Sequence, residues 1–237
     1  MAKRNGNGAV MERTPPAVAE TPSVAPRGST VVKVSPPNFR TAFIKIRGNA
    51  PYVQNRKAPE VMIAIKGAQE AGSTGRKGKK REATDFQANY QRSMHEMADG
   101  SRGINAAAFR NAMIDACRAV DFHMTKGKMS LFILADGVSP KDGTPLVKFT
   151  KGEPHYFESL VRNQNSGGMS LCARAMWDPG WEVVVRVQFD ADLFTLSDVI
   201  NLMMRVGVQI GVGEGRPFSK DSAGCGWGTF DVIPMKN

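Results

Sequence analysis

Three cysteines in 237 residues, Cys117, Cys172 and Cys225, are too few and too far apart for a disulfide framework, and none forms a CxxC zinc pair. Thiols used this way fit a reducing, cytosolic setting. No uninterrupted apolar run approaches the roughly 20 residues that span a bilayer, so no membrane partner is expected. Met1-Ala2-Lys3-Arg4 is not followed by an apolar segment, so a secretory signal is not expected and a cytoplasmic location is. Histidine is scarce too: His95, His123 and His155 stand in no recognisable arrangement with a nucleophile or a metal-ligand partner. No cofactor, metal site or catalytic residue is therefore expected. Acidic residues are also in deficit, 22 against 32 Lys plus Arg, which leaves a formal net charge of +10 and a pI near 9.7. A surplus of that size suits a polyanionic partner, most often nucleic acid.

The most informative stretch runs from Gly207 to Val232. It begins where an amphipathic helix should stop and closes on an apolar, strand-like run. Gly211, Gly213, Gly215, Gly224, Gly226 and Gly228 alternate there with Arg216, Phe218, Lys220 and Trp227. Two phosphate-binding motifs are absent. A dinucleotide fingerprint needs a third glycine opening a helix, where this chain has Arg216 and Pro217. A Walker loop needs Gly-Lys-Ser/Thr, and Lys220 follows Ser219. What remains is either a long glycine-rich connection or exposed backbone amides beside Arg and Lys, a combination that favours a phosphate-bearing partner.

The 41% apolar content supports one good-sized domain plus a tail. Residues 1–38 are proline-rich and aperiodic, and are expected to be a disordered N-terminal arm. The domain is expected over 39–237. Arg40 to Arg47 reads as a strand, followed by a Gly48-Asn49-Ala50-Pro51 turn and a short apolar run from Val61 to Ile65. Residues 66–100 are expected to be a mobile basic insertion, with Arg76, Lys77, Lys79, Lys80 and Arg81 set among glycines. Helical spacing from Asn105 to Val120 predicts a helix, and two strands are predicted over Met129 to Ala135 and Leu146 to Phe149, with Lys126 and Lys128 at the entry. Met169 to Trp177 and the cleanly alternating Trp181 to Phe189 predict two more strands. A second helix is predicted from Thr195 or Ser197 to a stop at Gly207, and a last strand over Trp227 to Val232.

Without the loops this is an α+β chain of order βαββαβ, the ferredoxin-like (RRM-like) plan, with both helices on one sheet face and the other face available. The second helix running into Gly211-Val212-Gly213-Glu214-Gly215-Arg216-Pro217 and then Gly224-Cys225-Gly226-Trp227-Gly228-Thr229-Phe230 resembles the RAMP superfamily. Within it the likeness is to the backbone subunits that polymerise along guide RNA in multi-subunit CRISPR complexes. The segment from Ile104-Asn105-Ala106-Ala107-Ala108-Phe109 to Gly228 is also similar to uncharacterised bacteriophage proteins, for which the location would be the host cytoplasm.

The resemblance implies a protein that binds single-stranded nucleic acid, RNA ahead of DNA, as a homo-oligomer or helical filament. Its backbone contacts would come from Lys45, Arg47, Arg56, Lys57, Lys126, Lys128, Arg216, Lys220 and the Arg76–Arg81 loop, beside Gly213 and Gly215. Phe218 or Trp227 would stack on bases. The alternatives are a phage structural or assembly protein and a metal-free RAMP-type ribonuclease.

Overall fold

The structure, a computed structural model, describes residues 34–56, 84–162, 169–218 and 224–234. The chain divides into two units, Met1–Pro36 and Pro37–Asn237, and the second carries all the helices and strands of the described residues. It is α+β, and every strand pairing among the described residues is antiparallel.

Strand β1 (Phe39–Gly48) is organised by period-two alternation. Ala42, Ile44 and Ile46 are buried on one face, while Phe43, Lys45 and Arg47 point to the other. Strand β9 (Glu182–Asp190) repeats the pattern with Val183, Val185, Val187 and Phe189 inside. The two pair along their whole length, from Phe39 opposite Asp190 to Arg47 opposite Glu182. On the far side of β1 lies the last strand, β10 (Phe230–Ile233), matched only to Lys45–Gly48. On the far side of β9, β4 (Leu131–Leu134) pairs with Arg186–Phe189 and β6 (Pro145–Lys151) pairs with Glu182 and Val183, and β6 also carries the short strands β3 (Gly103–Asn105) and β5 (Gly137–Val138). A separate three-stranded sheet has the order β2 (Tyr52–Gln54), β8 (Met169–Trp177), β7 (Pro154–Arg162).

Two helices cover the buried face of the larger sheet. The described residues before them hold a short α1 (Phe86–Arg92), and between them lies α3 (Met124–Ser130). Helix α2 (Ala106–Arg118) starts at Asn105, whose side chain accepts a hydrogen bond from the Ala107 N–H at 2.9 Å. It buries Phe109, Ala112, Met113, Ala116 and Cys117. Helix α4 (Leu196–Arg205) opens on a capping box. The Thr195 hydroxyl accepts from the Asp198 N–H, and the Asp198 carboxylate accepts from the Thr195 N–H. Where the sheets meet, Phe149 stacks on Trp177 at 4.7 Å and Tyr52 packs between Trp177 and Trp181.

Four elements differ from expectation. Residues 84–100, assigned to the mobile insertion, contain α1 and bury Met94 and Met97, so the chain rejoins the core earlier than its composition suggests. The strand predicted from Met129 begins at Leu131, because Met124–Ser130 is helical. Helix α4 does not stop at Gly207 but passes into a π turn over Val206–Ile210 that ends at Gly211, φ 72°. Gly207 serves a packing role instead, since a Cβ there would lie 2.0 Å from the Phe230 carbonyl oxygen. The last strand starts at Phe230 and not Trp227, because Gly226 and Gly228 hold φ values of 75° and 68° that a strand does not accept. The Val61–Ile65 run lies outside the described residues.

Candidate nucleic-acid interface

The glycine-rich limbs are laced to one another and to β2. Val212 N–H donates to the Gly228 carbonyl, Gly228 N–H to the Pro51 carbonyl, Glu214 N–H to the Val53 carbonyl and Trp227 N–H to the Gly215 carbonyl. Backbone runs this close leave no room for a side chain. A Cβ on Gly228 would sit 1.7 Å from the Val212 carbonyl oxygen, one on Gly213 2.5 Å from the Tyr52 ring, and one on Gly215 2.4 Å from the Trp227 ring. Glu214 from this loop meets Arg174 of β8 at 2.9 Å, and Arg174 also donates to Ser159. Burial pushes the Glu214 carboxyl up, against the pull of Arg174 and Asn55. Trp227 is half-buried, edge-on to Phe157 of β7 at 5.6 Å and against Gly215. Phe218 is exposed. Arg216 is half-buried and donates to the Gly213 carbonyl at 3.1 Å.

The expected cations therefore divide. Lys45 and Arg47, two residues apart on β1, converge on Glu182 across the strand pair. Lys45 Nζ lies 2.7 Å from Oε2, and Arg47 Nε donates to Oε1 at 2.8 Å. The Glu182 side chain is 7% exposed, and these hydrogen bonds, Lys45 first, hold its carboxyl below the usual range. Two cations share one carboxylate, so positive charge is left over at the surface. Arg56 is used differently. Its side chain is 3% exposed and donates to Asp142 at 2.8 Å. Burial pushes the Asp142 carboxyl up, but hydrogen bonds from Arg56, Ser139 and Thr144 outweigh it and hold the group well below its ordinary value. Arg56 is thus an internal anchor at the point where the chain leaves for residues 57–83. Lys126 and Lys128 are exposed on α3, away from the glycine-rich loop in the chain and on a different element. Lys57, Arg76, Lys77, Lys79, Lys80, Arg81 and Lys220 lie outside the described residues.

The larger sheet sets beside the expected Lys45 and Arg47 neighbours that sequence reasoning missed. The face of β1 opposite the helices carries Phe43, 58% exposed, in line with Lys45 and Arg47 at spacings of two and four. Beside it Arg186 of β9, in register with Phe43, bonds Asp136 at 3.1 Å, and Phe132 of β4 meets Phe39 edge-on at 5.7 Å. The strict alternation in Phe43-Ile44-Lys45-Ile46-Arg47 contained this signal, because residues two apart share a face. The described residues hold 18 of the 32 Lys and Arg with 16 of the 22 Asp and Glu, a net of +2. The other +8 belongs to the remaining segments, +4 of it to residues 57–83. The described fold is nearly neutral.

The three histidines are apart: His95 follows α1, His123 caps α3 and His155 is on β7, 3.7 Å from Asp178. Burial lowers the His95 pKa, with Asp142 pulling upward and Arg56 downward. Among the described residues no group of three or more His, Cys, Asp or Glu is placed to hold a metal ion, and no helix is long and apolar enough to cross a membrane. No protein-family model matches the chain, and no curated protein does.

Proposed function

We propose that this chain binds single-stranded nucleic acid, RNA ahead of DNA, across the uncovered face of its larger sheet. The observation that carries the reading is Phe43, exposed on the central strand β1, with Lys45 and Arg47 following on the same face. Base stacking on an aromatic platform is indifferent to sequence, and flanking cations track the sugar-phosphate chain. The basic segment over residues 57–83 departs from Arg56, just past β2, and adds long-range attraction in proportion to its +4 charge.

The reading includes a ferredoxin-like core built from β1, α2, β4, β9, α4 and β10. The strand order β10-β1-β9-β4, with a helix joining β1 to β4 and another joining β9 to β10, supports it. Kinship with RAMP-type backbone subunits, and with it assembly along the bound strand, belongs to the same proposal. The packed glycine-rich loop then acts as a buttress between the two sheets, and Phe218 is its one described aromatic open to a base. Fluorescence anisotropy with labelled oligo(U) and oligo(dT) tests the proposal. Binding should weaken as salt rises and should fall on Phe43→Ala without loss of thermal stability. Absence of binding at low salt, or a Phe43→Ala variant that binds as well as the parent, overturns it.

A further inference from the structure

Strand β10 covers only the C-terminal half of β1. Gly48 N–H bonds the Trp181 carbonyl on the β9 side and Asn49 N–H bonds the Thr229 carbonyl on the other. Alternation from that point turns the N–H and C=O groups of Phe39, Thr41 and Phe43 outward. None has a strand partner among the described residues. Natural edges of this kind are guarded by lysine, proline, a bulge or an inward charge. Phe39-Arg40-Thr41-Ala42-Phe43-Ile44 has no lysine or proline and pairs with β9 without a register shift; its single charge is the exposed Arg40, on the helix face near the start of the strand. Helix α4 adds a second feature beside this edge. Leu196, Ile200 and Met204 recur at four-residue spacing on its outer side, and Leu196 and Met204 are 54% and 50% exposed. Ile200 and Met204 line one apolar groove of about 320 Å³ with Phe43, Ile44 and Val232.

We infer that this edge and stripe form the interface of a two-fold homodimer, in which β1 pairs antiparallel with β1 of a second copy about Thr41. The occupant follows from self-complementarity. Centring on Thr41 sets Phe39 opposite the partner subunit's Phe43 on the uncovered face and Arg40 opposite the partner subunit's Ala42 on the helix face. Residues of like face meet, and the outward donors and acceptors of Phe39, Thr41 and Phe43 are all matched. The same rotation brings the two apolar α4 stripes together over the joint. The contact needs no nucleic acid, so it stands or falls separately from the binding proposal. It would run the uncovered face continuously through both subunits.

Sedimentation velocity on nuclease-treated protein in high salt tests the inference. The wild-type chain should sediment as a dimer at micromolar concentration. Met204→Glu and Thr41→Pro should each give monomer with an unchanged circular dichroism spectrum, because Met204 is at the surface and the Thr41 N–H has no strand partner among the described residues. In a Cys225→Ser background, Thr41→Cys should form an intersubunit disulfide on mild oxidation, since paired strand positions lie about 5.5 Å apart at Cα. Leu160→Glu, at the exposed end of the β7–β8 hairpin, should leave the dimer intact. A wild-type monomer, a dimer that survives both Met204→Glu and Thr41→Pro, or a dimer lost on Leu160→Glu overturns the assignment.

Discussion

Replacing Glu182 with glutamine should weaken the fold and strengthen binding, an opposition that few surface changes produce. Glu182 is nearly buried and receives hydrogen bonds from both Lys45 and Arg47. The partners are themselves about one-third and one-half exposed, so screening by water reduces each pair to well under its buried value. Losing both should cost about 1–2 kcal/mol in urea-unfolding free energy at neutral pH. The sign of the pH dependence follows from the lowered carboxyl pKa. The contribution is complete above the ordinary value of 4.5 and disappears as pH falls through the lower folded value. Wild type should therefore lose more stability than Glu182→Gln between about pH 5 and pH 3. Binding moves the other way, since two cations no longer share one carboxylate and one more phosphate can be neutralised. The log affinity against log salt plot for a single strand should steepen by about 0.7, which amounts to roughly fivefold tighter binding at about 0.1 M salt. Anisotropy titrations at four salt concentrations measure both slope and affinity. An unchanged slope, or weaker binding, would refute the idea that Lys45 and Arg47 are held in reserve by Glu182.

The remaining expectations concern packing. Gly228→Ala places a Cβ 1.7 Å from the Val212 carbonyl at φ 68° and should cost at least about 3 kcal/mol or prevent folding, whereas Gly224→Ala at φ 66° meets no atom within 4 Å and should cost about 1 kcal/mol, both read from thermal melts. Trp227→Leu should lower the melting temperature while leaving oligonucleotide affinity within twofold, the reverse of Phe43→Ala; a Trp227 variant that folds normally but fails to bind would reassign the base platform. Thr195→Ala removes one half of the α4 capping box and should cost about 1 kcal/mol in urea titration, with no change in binding.

Local periodicity made the central elements legible. The apolar alternation of β1 and β9, the three-to-four spacing of α2 and α4, and the Thr195 cap are properties of short windows, and the structure places all of them within a few residues of expectation. The charge partners were not legible. Glu182 lies 135 residues from Arg47, and Asp142 lies 86 from Arg56, so no local pattern reveals that these cations are already engaged. The same holds for the glycines. Gly213, Gly215 and Gly228 look like a flexible lip in sequence, but the atoms that require them, in Tyr52, Trp227 and Val212, come from β2 and from opposite limbs of the loop. Strand β7 escaped because its apolar residues, Tyr156, Phe157, Leu160 and Val161, do not alternate; its pairing with β8 defines it.

The near-neutrality of the described fold changes how its basic character should act. A net of +2 over the 163 described residues cannot by itself gather a polyanion from a distance, because exposed charges are screened beyond about 8–10 Å at ordinary ionic strength. In the proposed binding, most of the attraction should then come from the segments on either side of β1 and β2: the residues before β1 carry +3 and residues 57–83 carry +4. The sheet face contributes what those segments lack, a fixed aromatic surface and two cations with defined positions. The two contributions separate kinetically. Removing the charge of Arg76, Lys77, Lys79, Lys80 and Arg81 should slow association and flatten its salt dependence while leaving dissociation nearly unchanged, whereas Phe43→Ala should accelerate dissociation. Stopped-flow traces in which the loop substitutions instead speed dissociation, with association untouched, would place the gripping contacts in the loop and not on the sheet.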